Sequence, residues 1–227
     1  MQRLSSGLRK YKGSVKAANK PSANQKYSQT LRLMGNSFTI TVVGPNKQQA
    51  DAHIDLAVGE IRRIEKLLTT YKDDSQTSLI NGNAGIKPVK VDQEVFNLIE
   101  RSMGISRITQ GAFDITYGGI DKSLWNFDKN MTRLPDAQTG LKMVYLIDYK
   151  NIILDRENTT VFLKEKGMRI GFGGIGKGYA AEMAKQILVK NGVQSGIINA
   201  SGDLSAWGLQ PNGSKWTIGV ASPDAPN

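Results

Sequence analysis

A chain of 227 residues with 39% apolar and 22% charged residues, 24 glycines and 7 prolines has a globular balance, which excludes collagen, a coiled coil and a wholly disordered chain. Without cysteine, and with His53 its single histidine, it excludes disulfides, thiolate metal clusters and thiol nucleophiles; any metal would need oxygen ligands, which favours magnesium or calcium. The net charge of +10 points first to nucleic acid, yet nine of the 30 basic groups and none of the 20 acids fall in residues 1–50, so the rest is neutral to within one charge.

Residues 1–27 mix Lys, Ser, Asn, Gly and Gln without apolar periodicity. Such a stretch cannot bury enough surface to offset its ordering entropy. It reads as a disordered basic arm, residues 1–30 at its widest, with weak attraction to an anionic membrane surface. The isolated Tyr11 and Tyr27 give no aromatic–basic interleaving, so no nucleic-acid partner is expected. The arm lacks the apolar core of a secretory signal, and a chain without cysteine has no lipobox. Nothing approaches the ~20 apolar residues of a membrane span.

From Leu31 to Val43 the chain alternates and is rich in Thr, Val, Ile and Phe, which predicts one strand or two joined at Met34-Gly35-Asn36. Ile54, Val58, Ile61, Ile64 and Leu68 at helical spacing predict an amphipathic helix over 48–69, followed by the polar run Tyr71 to Ser75. Asp92 reads as the N-cap of a second helix that ends before Gly111. Residues 112–143 are mixed, with a helix start at Pro135-Asp136. Short strands are predicted near 144–147, 151–155, 160–164 and 168–170, a helix over 178–190, and further strands at 197–198, 206–209 and 216–220. Helices and strands that do not strictly alternate indicate an α+β fold.

The strongest chemical signal lies between Met168 and Lys190, where five glycines fall in the eight residues 171–178, between strand and helix. Glycines allow close backbone approach, a helix N-terminus offers unpaired N–H groups, and Lys177 adds a full charge. Gly171, Gly173 and Gly176 match a dinucleotide fingerprint, but the next strand ends in Asn199 rather than an acid. Gly171 to Lys177 nearly matches a phosphate-binding P-loop, but Gly178 replaces its Ser or Thr. A pyrophosphate cradle and a tight structural turn both remain open on the motif alone. So do a site and a plain turn at Gly111-Ala112-Phe113-Asp114-Ile115-Thr116 and at Asn199-Ala200-Ser201-Gly202-Asp203.

In order along the chain, these segments resemble the flavin transferases of the ApbE family (FAD:protein FMN transferases). The blocks that carry the resemblance are 34–38, 70–75 with 78–81, 111–116, Leu124-Trp125-Asn126-Phe127, 173–180 and 199–203. The resemblance implies an ApbE-like, T-fold-related α+β domain over 31–227, with mixed sheets and packed helices. It implies magnesium-dependent transfer of FMN from FAD to a Ser or Thr hydroxyl of an acceptor protein, with release of AMP. Met34 and Tyr71 would line the flavin or adenine pocket, Ala112, Phe113 and Asp114 would hold FAD, Lys177 would meet the pyrophosphate, and the Gly174 carbonyl would ligate magnesium. Gly171 stands where the family usually has an FAD-contacting Asp. Family members continue past the position matching Asn227 through a His-x-x-Asp-Pro-x-Thr-Gly segment that supplies a catalytic-site His and the metal-binding Asp and Thr. The expectation is therefore a C-terminally incomplete member whose catalytic residues are unassigned, the alternative being a non-catalytic FAD-binding or scaffolding relative. The family usually works at the periplasmic side of the inner membrane.

Overall fold

The computed structural model describes residues 24–118 and 136–219. Strand β1 (Gln25–Leu33) turns through Met34-Gly35 into β2 (Asn36–Gly44), and helix α1 (Lys47–Leu68) follows. Then come α2 (Gln76–Gly82), β3 (Val89–Lys90), α3 (Gln93–Ile108), α4 (Ala137–Val144), β4 (Ile152–Asp155), β5 (Thr160–Leu163), α5 (Gly176–Lys190), β6 (Gly196–Ala200) and β7 (Asp203–Trp207). Two antiparallel sheets result, ordered β1-β2-β6-β7 and β3-β5-β4.

The period-2 pattern of β2 decides which face of the larger sheet is buried. Phe38, Ile40 and Val42 pair with Ala200, Ile198 and Gly196, all buried, while the intervening Thr39 and Asn199 face away. Helices α1 and α5 lie against the sheet's buried face and against each other. The stripe Ile54, Ala57, Val58, Ile61, Ile64 and Leu68 supplies α1's half of the core, as its spacing predicts. Ala180, Ala181 and Ala184 let α5 approach closely.

Other boundaries differ from expectation. Strand β1 begins at Gln25, so residues 25–30, read as the end of the arm, pair with β2 instead: Ser28 and Thr30 meet Thr41 and Thr39 through hydroxyl hydrogen bonds at 2.8 and 3.0 Å. Polar residues here decorate an outer sheet face. The expected strand at 144–147 is instead the last residue of α4 and the turn after it, with the Tyr145 N–H on Leu141 O and the Ile147 N–H on Val144 O; a four-residue apolar run does not distinguish helix from strand. Residues 168–170 are extended, but among the described residues they have beside them only a single parallel bridge, Tyr117 to Arg169. Asn81, buried on α2, substitutes for a neighbour: its amide donates to Ile170 O at 3.0 Å and accepts the Ile170 N–H at 2.7 Å.

Helix α5 starts at Gly176 rather than 178, and the predicted strand at 206–209 is β7, 203–207. Residues 216–219 form no strand; Trp216 is fixed by its indole, which donates to Trp207 O at 2.9 Å. Helix α2 and strand β3, each too short for a periodic signal, were not anticipated. Asp136 caps α4 as expected, accepting from Gln138 and Thr139 N–H, whereas Pro135, the block at 124–127 and residues 1–23 of the arm lie outside the described residues.

Candidate functional site

A cleft of about 600 Å³ opens where the β1–β2 turn, the C-terminus of α1, Tyr117 and the glycine loop meet. Met34, Leu68, Tyr71, Tyr117 and Phe172 give it an apolar and aromatic lining; Gly171, Gly173 and Lys177 form the opposite rim. Four of the residues singled out in the sequence, Met34, Tyr71, Gly171 and Lys177, therefore converge.

Each arrives by a local cause. Leu33 and Asn36 are paired across a two-residue turn, with Met34 at φ 50° and Gly35 at φ 72°. That geometry suits Asn-Gly, so a methionine in the left-handed region is held there at a cost. Its Cε reaches the start of α5, 3.6 Å from where a Cβ on Gly176 would stand. Thr69 ends α1, and the loop after it is tied back onto the helix. Ser75 Oγ donates to Thr69 O at 2.5 Å, and Thr77 Oγ1 to Leu68 O at 3.2 Å. Tyr71 stands on that loop, its N–H on Thr69 Oγ1 at 3.1 Å and its side chain 87% exposed at the mouth.

The glycine loop leaves the extended segment with the Gly171 N–H on Ile115 O at 2.8 Å and turns into α5 as Phe172 O accepts from Ile175 and Gly176. No side chain caps α5, so its first-turn N–H groups face the loop. Glycine at 173 lets the Tyr117 hydroxyl sit where it does: the Gly173 N–H donates to Tyr117 Oη at 3.0 Å, and a Cβ there would push that oxygen away. Lys177 Nζ lies 3.6 Å from Asp203 Oδ2, so its ammonium sits between the cleft and the β6–β7 turn. That turn, Ser201-Gly202 at φ 53° and 102°, is a two-residue hairpin connection in which Asn199 Oδ1 accepts the Gly202 N–H.

An ion network stands behind the first turn of α5. Arg63 on α1 makes a bidentate pair with Glu94 on α3, at 2.6 and 2.9 Å, and also binds Glu60; the Tyr179 hydroxyl donates to Glu94 Oε1 at 2.7 Å. The Arg63 hydrogen bonds hold the Glu94 carboxyl below its ordinary range, while burial and the Glu94 hydrogen bond push the Tyr179 phenol up. Two residues from Lys177, this network locks α5 onto α1 and α3.

The remaining sequence candidates lie elsewhere. Asp114 does not line the cleft: its Oδ1 accepts from Thr116 N–H and Oγ1 at 2.8 and 2.7 Å, and its Oδ2 from Tyr149 N–H at 2.9 Å. It borders instead a smaller pocket of about 440 Å³ with Arg107 and Lys150. Ala112 is exposed beyond the end of α3, and Phe113 packs its ring 3.2 Å from where a Cβ on Gly174 would be, bracing the glycine loop from outside. Gly174 lines a pocket with Glu182 and Asp203, but among the described residues no three His, Cys, Asp or Glu gather as metal ligands. One carbonyl does not complete the six oxygen ligands of magnesium, so the described residues do not fit that ion and no step is derived through it. Sequence reading missed Tyr117, Glu65 and Thr69 as lining residues, for which no local pattern gives a signal.

Comparison with known proteins places these features in a family. The profile of the ApbE family matches residues 34–227. An FAD:protein FMN transferase of Klebsiella pneumoniae is 32% identical over 90% of this chain and 61% of its own length. One of Treponema pallidum is 26% identical over 88% of this chain and 59% of its own. Among solved structures, the ApbE protein of Thermotoga maritima superposes with a TM-score of 0.79 at 28% identity, covering 88% of this chain and 65% of that one. The flavinyl transferase ApbE of Pseudomonas stutzeri, in its apo form, gives 0.76 at 26% identity, covering 89% and 64%. The chain thus spans less than two thirds of the length of each of these relatives.

Proposed function

The chain belongs to the ApbE family, and on that premise we propose that it binds FAD in the cleft and takes part in transferring FMN from FAD to a Ser or Thr hydroxyl of an acceptor protein. In that reaction the acceptor hydroxyl oxygen forms a bond to the phosphorus of the FMN half. The bond from that phosphorus to the bridging oxygen breaks, AMP leaves with the oxygen, and the hydroxyl proton is released.

The observation that carries the reading is the convergence of Lys177, the Gly171–Gly173 backbone and an aromatic wall in one cleft. FAD fits that set. The volume lies within the range of cofactor pockets. The glycines leave a cradle that a Cβ would fill, Met34, Tyr71 and Phe172 offer apolar surface to a ring, and Lys177 places a cation where a pyrophosphate needs charge neutralised. Asp203 holds the ammonium at 3.6 Å, loosely enough for a phosphate oxygen to compete. Of the segment expected to hold FAD, Phe113 acts by bracing the glycine loop, while Ala112 is exposed and Asp114 is bonded to Thr116 and Tyr149. A magnesium requirement rests on the family resemblance alone, since the described residues offer that ion no more than the Gly174 carbonyl.

The purified protein is expected to retain FAD in equilibrium dialysis at tens of micromolar, and Lys177→Ala to weaken retention about tenfold or more, with Lys177→Arg intermediate. Failure of the wild type to retain FAD removes the reading. Mass-spectrometric labelling of a Thr-containing acceptor peptide, with and without magnesium, separates transfer from binding alone; FAD retention without labelling selects the non-catalytic scaffold.

A further inference from the structure

We propose that Tyr117 is a substrate-positioning residue of the cleft, its hydroxyl donating a hydrogen bond to a phosphate oxygen of the bound dinucleotide. The proposal rests on the FAD reading of the cleft.

Three observations carry it. The backbone at Tyr117 is fixed from two sides: its N–H donates to Asp114 O at 3.4 Å, and the residue bridges Arg169 on the extended segment, so close that a Cβ on the adjacent Gly118 would stand 2.9 Å from Arg169 O. The ring therefore leaves a rigid base and lies across the cleft, 37% exposed. Second, the hydroxyl oxygen sits above the glycine loop, accepting the Gly173 N–H at 3.0 Å and lying 3.3 Å from where a Cβ on Gly171 would be. A side chain at 173 would displace it and one at 171 would crowd it; the two glycines keep room for a phenol.

Third, the described residues use half of the hydrogen-bond capacity of that phenol. A tyrosine hydroxyl accepts and donates. Its acceptor side is occupied by Gly173, while no described residue accepts its proton. Accepting from a backbone N–H polarises the O–H and strengthens it as a donor. Lys177 lines the same cleft. Two donors, one cationic and one neutral, held beside a glycine backbone, suit an anionic oxygen shared between them. The isoalloxazine ring needs neither.

Tyr117→Phe tests this, since it keeps the ring and removes one oxygen. Binding of FAD and of riboflavin, which lacks the phosphates, is followed by flavin fluorescence, and folding by thermal melting. The expected result is an FAD dissociation constant raised about tenfold, riboflavin affinity changed less than about twofold, and an unchanged melting temperature. Equal weakening of both ligands would make Tyr117 a structural prop for Gly173, and unchanged FAD affinity would remove any role; either overturns the proposal. Wild-type protein that binds no FAD removes the FAD reading and this one together, whereas wild-type binding with an indifferent Phe variant removes only this one.

Discussion

Met34 shows functional geometry at the scale of one residue. A left-handed non-glycine residue costs of order 1–3 kcal/mol and persists where surrounding structure holds it. Here the β1–β2 register enforces it, and the benefit is a thioether aimed into the cleft beside Gly176. Met34→Asn suits the Asn-Gly turn better, so the strain it relieves offsets the packing it loses. Folding stability by chemical denaturation is expected to stay within about 1 kcal/mol of wild type, while FAD affinity in dialysis falls severalfold. A drop in stability with unchanged affinity would make Met34 only a core residue. Lys177 was legible from its glycine-rich segment and Tyr71 only through the family resemblance; Tyr117 was not, because its contact is with Gly173, 56 positions away.

Between elements, two polar devices replace what a sheet or an apolar contact would do. Asn81 on α2 pairs both ways with Ile170 and so sets the height at which the chain enters the glycine loop. Asn81→Ala leaves a buried N–H and C=O unsatisfied and is expected to cost about 2–3 kcal/mol in a denaturant melt, with hydrogen exchange rising first at Ile170 and Gly171. The Glu94–Arg63–Tyr179 network joins α3, α1 and α5. Because Arg63 depresses the Glu94 carboxyl in the folded state below its ordinary range, that stabilisation is present above the unfolded value and is lost as pH falls through the folded one. Melting temperature should therefore drop as pH falls below the ordinary carboxylate range, and Glu94→Gln should lower the neutral-pH value and flatten the acid limb. An acid limb of unchanged depth in the variant would assign the acid loss to other carboxylates.

At the scale of the molecule, one core joins both sheets. Phe38, Ile40 and Ile198 from the larger sheet, Ile61 and Ile64 from α1, Phe96 and Ile99 from α3, and Val161 and Leu163 from β5 belong to a single cluster of buried side chains. A shared core predicts cooperative unfolding. Tryptophan emission of a Trp125→Phe variant, which reports on Trp207 and Trp216 at the edge of the larger sheet, and far-ultraviolet dichroism, which reports on the helices, should give coincident denaturant midpoints. Separate midpoints would mean that the smaller sheet with α3 unfolds on its own. No described helix is long and apolar enough to cross a membrane.

Periodicity determined α1 and, with Asp92 as its start, α3, because repeated burial on one face leaves a local trace in the sequence, and short runs punctuated by turn residues marked the strands around residues 152–163. The order of short blocks determined the family, and the glycine count marked the loop. Tertiary structure alone decided that residues 168–170 are extended without a sheet, that Asp114 is spent on Thr116 and Tyr149, and that Tyr117 rather than a neighbouring acid meets the loop. The physical reason is common to all three. Each depends on which distant donor or acceptor satisfies a polar group, and a hydrogen bond between residues far apart in sequence writes no period into either segment.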